Sequence, residues 1–106
     1  MSEVLAREHR IGEMEQIPRG EGRNFDLGGQ VVAVFRTQAD EVFATQAACP
    51  HLQGPLADGM MGGTTITCPL HERIYDLRTG KALVGECDIA VYPLHRAVDG
   101  TLVVSL

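Results

Sequence analysis

The sequence predicts an all-β fold, and three features carry that reading. Short runs rich in Val, Ile, Thr and Phe recur along the chain, and glycine-bearing turn signals separate them. No window holds an apolar stripe of helical period. The first twelve residues are a tail or a loose first strand. Residues 13–18 read as a short edge strand ended by Pro18, and residues 19–22 as a loop. Asn24-Phe25-Asp26-Leu27 alternates polar and apolar, and Gly28-Gly29 offers the positive φ of a two-residue hairpin. The return strand covers residues 30–37, and a polar turn at 38–40 leads into a strand at 41–45. Residues 47–63 then change character: four Gly and two Pro with no sustained period mark a long functional loop. Thr64-Thr65-Ile66-Thr67 is a β-branched strand, residues 74–77 form another, and residues 78–81 turn the chain. Residues 89–98 and 101–106 flank Asp99-Gly100, which reads as a type I′ hairpin.

Composition bounds the function. One domain, residues 1–106, fits the length, and 44% hydrophobic residues with a mean hydropathy near zero describe a globular chain. The longest apolar runs are too short to cross a bilayer, so no membrane partner is expected. The charged N-terminus lacks the apolar segment of a secretory signal, which implies a cytoplasmic address. A net charge of −5 without a Lys/Arg stripe argues against nucleic acid. It fits either an ordinary acidic surface or docking onto a basic face of another protein. Three cysteines without a secretory signal favour metal binding over a disulfide framework.

The chemistry concentrates in Cys49-Pro50-His51 and Cys68-Pro69-Leu70-His71, separated by sixteen residues. Each motif supplies one thiolate and one imidazole, a mixture suited to an iron–sulfide cluster or to zinc. In an extended loop, residues two apart point the same way, so Cys49 and His51 can address adjacent metal atoms. Pro50 and Pro69 each restrict the preceding cysteine to extended geometry. Zinc sites usually group like ligands together, whereas each loop here mixes them. Nucleophile triads, phosphate-cradling glycine loops and HExxH motifs are all missing from the sequence.

The pattern C-x-H-x16-C-x-x-H resembles the signature of Rieske iron–sulfur proteins. The stretch at 49–59, with residues 68–71 and 75–80, is similar to Rieske-type ferredoxins, particularly those akin to the small subunit of assimilatory nitrite reductases. The resemblance spans roughly residues 12–106. It implies antiparallel β-sheets forming a sandwich or barrel-like base, with a cluster-binding subdomain at about 46–84. It also implies one [2Fe–2S] cluster, with Cys49 and Cys68 on an inner iron and His51 and His71 on an outer one. Respiratory-complex relatives brace these loops with a disulfide whose positions are Gly54 and Leu70 here. They also bond the cluster sulfurs with a Ser and a Tyr; the corresponding residues here are Arg73 and Tyr75.

Two imidazoles in place of two thiolates bring the oxidised cluster to a formal charge of zero, which favours taking up an electron. Without the Ser donor, the potential is expected in the low Rieske range, roughly −150 to 0 mV. A Tyr75 hydroxyl bonded to a ligand sulfur would raise it; the alternative is a buried ring bonded elsewhere. Oxidation should acidify the two imidazoles and couple electron transfer to protons at alkaline pH. Glu72 is read as a surface residue paired with Arg73 or as a carboxylate beside His71. Cys87, lacking a spaced partner, is read as buried apolar filler in preference to a redox group. His9 and His95 are left as structural or exposed groups. Met60-Met61 either packs near the cluster or presents a soft docking surface, and Leu52 either shields the cluster or meets a partner.

The reading is therefore a one-electron carrier between a reductase donor and an oxygenase or other acceptor. The alternatives are a fixed small subunit of a nitrite reductase-like complex and a structural zinc module.

Overall fold

The computed structural model describes residues 7–50, 53–70 and 72–106. Eleven strands arise among them: β1 (Glu8–Glu13), β2 (Glu21–Leu27), β3 (Gln30–Arg36), β4 (Val42–Gln46), β5 (Met60–Gly62), β6 (Thr65–Thr67), β7 (Ile74–Asp76), β8 (Ala82–Val84), β9 (Val91–Tyr92), β10 (Leu94–Arg96) and β11 (Thr101–Ser105). They build three antiparallel sheets, ordered β1-β11-β10, β2-β3-β4-β9 and β5-β6-β7-β8.

Strand β3 explains the arrangement. Its run Val32-Ala33-Val34-Phe35 is apolar and fully buried at every position, because both faces of the strand are covered. Val32 and Val34 pack with Met14, Ile17, Leu27, Ala44, Leu102 and Val104 on one side. Ala33 and Phe35 pack with Leu56, Ile66, Tyr75, Leu77, Ile89 and the two motif cysteines on the other. The β2–β3–β4–β9 sheet is therefore a middle layer. The sheet of β1, β10 and β11 covers one face, and the motif-bearing region covers the other.

The Gly28-Gly29 hairpin forms as expected, with φ of 68° and 96°, and pairs Leu27 with Gln30. Four expectations are corrected. Residues 13–18 are not an edge strand: Glu13 ends β1, and Met14–Gln16 is a 3-10 turn. The buried Arg36 secures this segment by donating to the Ile17 carbonyl at 2.9 Å. The loop expected at 19–22 already belongs to β2 from Glu21. Residues 89–98 hold two strands rather than one, because Pro93 lacks an N–H and the chain changes sheet there. Thus β9 pairs with β4, and β10 with β11. Asp99-Gly100 is not a type I′ turn. Only Gly100 has positive φ (92°), and a longer loop is closed by the Ala97 N–H donating to the Thr101 carbonyl at 2.7 Å.

The long loop is also more ordered than its composition suggests. It contains a 3-10 turn at Leu56–Asp58 and the short strand β5.

Candidate metal centre

Cys49 and Cys68 both sit in the core with Ala33 and Phe35 of β3, at 0% and 1% exposure. Each begins a loop of the same frame. The Cys49 N–H donates to the Gly54 carbonyl and the Cys68 N–H to the Arg73 carbonyl, both at 2.8 Å. Each frame carries a non-glycine residue of left-handed φ at its fifth position, Gln53 at 60° and Glu72 at 57°. That conformation costs roughly 1–2 kcal/mol per residue, and such costs concentrate at ligand clamps. Pro50 and Pro69 follow the cysteines in both loops.

The first loop is tied down from outside by Gln46. Its Nε2 donates to the Ala48 carbonyl at 2.7 Å, and its Oε1 accepts from the Ala90 N–H at 2.7 Å. The Ala47 carbonyl also accepts from the Leu56 N–H at 3.0 Å. Sequence reasoning missed Gln46, since no local pattern distinguishes it from a strand-end polar residue.

The sulfurs have different surroundings. The Tyr75 hydroxyl lies 3.1 Å from Cys49 Sγ, within hydrogen-bond distance. Burial, then the Cys49 contact, push the Tyr75 phenol above its usual range, while the Arg73 charge pulls it down. The Tyr75 O–H can thus donate a hydrogen bond to Cys49 Sγ when that sulfur is a thiolate. Of the two readings of Tyr75, the sulfur contact is the one formed. Around Cys68 the neighbour is backbone: a Cβ added at Gly54 would stand 2.8 Å from Cys68 Sγ and 3.0 Å from the Leu70 side chain. The two positions expected to lack the disulfide brace are therefore adjacent, and Leu70 fills that space.

His51 and His71, and with them Leu52, lie outside the described residues. The remaining candidates are placed as follows. Arg73 is half-buried and lines a small cleft with Pro50, Tyr75, Glu86 and Cys87. Glu72 is exposed, and among the described residues it forms no ion pair with Arg73. Cys87 is exposed rather than buried filler, because residues 83–88 form a continuous exposed segment. Met60 is 77% exposed, whereas Met61 packs against the motif-side core. His95 is exposed and His9 half-buried.

A donor set of two buried thiols on matched loops, one beside a hydroxyl donor and the other against bare backbone, fits a compact sulfur-ligated cluster. Comparisons with known proteins agree. Residues 7–93 match the profile of the Rieske [2Fe–2S] domain. The anthranilate 1,2-dioxygenase ferredoxin subunit of Burkholderia cepacia is 33% identical over 105 residues, covering 97% of this chain and 95% of that protein. The ferredoxin component of the Ralstonia sp naphthalene 1,2-dioxygenase/salicylate 5-hydroxylase systems is 34% identical over 76% of this chain and 79% of its own length. Among solved structures, the ferredoxin of carbazole 1,9a-dioxygenase from Nocardioides aromaticivorans IC177 superposes with a TM-score of 0.83 at 28% identity, over 92% of this chain and 95% of that one. A Mycobacterium tuberculosis protein described as an NADH-dependent nitrite reductase small subunit shares the fold, with a TM-score of 0.89 at 20% identity over 97% of both chains. The zinc alternative is set aside by this agreement, and the chain belongs to the Rieske [2Fe–2S] domain family.

Proposed function

We propose that the protein is a one-electron carrier that passes electrons from a reductase to an oxygenase, through a low-potential Rieske [2Fe–2S] cluster held by Cys49, His51, Cys68 and His71. The observation that carries this reading is the pair of buried cysteines on matched Cys-Pro loops, with the Tyr75 hydroxyl 3.1 Å from one sulfur. When bound, the cluster supplies reversible uptake of a single electron. The chain's own part is to hold the sulfurs in a dry core, to direct one hydroxyl at Cys49 and to fix both loops against β3. The ferredoxin relatives named above support an oxygenase as acceptor. The chain is read as one domain, residues 1–106, with a cluster-binding subdomain at about 46–84 and a cytoplasmic address. Among the described residues no helix is long and apolar enough to cross a membrane.

The test is anaerobic reconstitution with iron and sulfide. A red-brown protein with two irons per chain and a reduced EPR signal averaging below the free-electron g value is expected. A colourless protein that takes up zinc instead overturns the reading. Reduction by a flavin reductase followed by oxidation by an oxygenase separates a free carrier from a fixed reductase subunit, which would co-purify with its larger partner.

A further inference from the structure

The outer face of the β5–β8 sheet carries a cross-strand row whose last pair lies beside a register shift in β8. Met60 stands opposite Thr67, Thr67 opposite Ile74, and Ile74 opposite Val84. The strand neighbours Met61, Ile66 and Tyr75 lie in or against the core, so the two-residue period turns Met60, Thr67 and Ile74 away from it. The row floors an open groove of about 910 Å³ that continues along Cys68 and Pro69. Met60 and Val84 are 77% and 47% exposed. Scattered exposed apolar residues are ordinary, but a contiguous row in a groove marks an interaction surface. The charged residues lining it are Asp58 and Glu72, both acidic, on a chain of net charge −5.

We infer that this groove docks the electron-accepting oxygenase, through a segment of that partner presenting apolar side chains flanked by Lys or Arg. The inference rests on the electron-carrier reading above and names the face that the acceptor meets. Charge complementarity selects this occupant: Asp58 and Glu72 repel a second acidic copy of the chain and an anionic lipid surface, and attract a basic rim. Docking there sets the partner against Pro69, one residue from the buried Cys68.

The test uses the reconstituted protein, the oxygenase of the Burkholderia cepacia anthranilate 1,2-dioxygenase system and stopped-flow mixing after reduction with dithionite. Asp58→Lys and Val84→Lys alter side chains that line the groove. Their midpoint potentials and visible spectra are checked against wild type, so that driving force and folding are equal. Each is expected to slow second-order electron transfer by about tenfold at low salt, and Asp58→Lys to flatten its salt dependence. Val98→Asp, at a fully exposed position outside the groove, should transfer at the wild-type rate. Wild-type rates and salt dependence in both groove variants overturn the docking face while leaving the carrier reading intact. A concentration-dependent dimer abolished by Val84→Lys overturns it in favour of a second copy. A wild-type protein that forms no [2Fe–2S] cluster on reconstitution defeats the carrier reading itself, and the docking face with it.

Discussion

The loop at 49–54 and the loop at 68–73 share a Cys-Pro start, a left-handed fifth residue and a closing hydrogen bond of 2.8 Å, yet they support their sulfurs differently. Cys49 has the Tyr75 hydroxyl at 3.1 Å, and its loop is clamped by Gln46. Cys68 has the bare backbone of Gly54 and the side chain of Leu70 beside it. The backbone frame thus sets position, while the surrounding side chains set electronics. A hydrogen bond to one sulfur withdraws charge from that side and stabilises the reduced state, whereas the close approach of Gly54 to Cys68 only limits the space there.

That comparison can be broken most severely at the sulfurs themselves. Cys49→Ala and Cys68→Ala should each abolish cluster retention, read as loss of visible absorption and of the reduced EPR signal. A cluster retained in either variant removes that residue from the ligand set. Gly54→Ala comes next, since its new Cβ meets Cys68 Sγ at 2.8 Å. Overpacking there should cost about 1–3 kcal/mol in denaturant unfolding and speed cluster loss. Tyr75→Phe sharpens the asymmetry: deleting a bond that differs between oxidation states by about 1 kcal/mol should lower the midpoint potential by roughly 40 mV. An unchanged potential would mean that the hydroxyl does not act on the sulfur.

The smallest effect lies outside both loops. Asp40 accepts from Arg19 at 2.7 Å and from Arg36 at 2.9 Å, and these contacts hold its carboxyl well below the usual range against the opposing effect of desolvation. A depressed carboxylate contributes stability that is full above its unfolded value near 3.9 and is lost as pH falls toward its folded value. Asp40→Asn should therefore lower the Tm modestly at pH 7, and the difference from wild type should shrink below about pH 4. A gap that stays constant with pH would assign the effect to packing.

Much of this was legible in the sequence because the residues concerned act locally. The β3 run, the Gly28-Gly29 turn and the Cys-Pro motifs each declare themselves within a few residues. Two of the failures were long-range. Nothing near Pro93 says that the strand changes sheet there, and nothing near Gln46 says that Ala90 will lie beside it. Asp99-Gly100 misled because the type I′ pattern needs positive φ at both residues. Instead the Asp99 side chain accepts from the Thr101 N–H at 3.0 Å and favours the longer loop. Cys87 misled for a different reason: small thiols are usually buried, but this one sits on an exposed segment.

Strand β3 has one more consequence. Its two faces belong to two different cores, so neither core can open without exposing a face of the same strand. The two halves should therefore unfold as one cooperative unit, and the amides of residues 32–35 should exchange with solvent only through global opening. Loss of the cofactor would then be felt as a lower melting temperature for the whole chain rather than as local fraying around the loops.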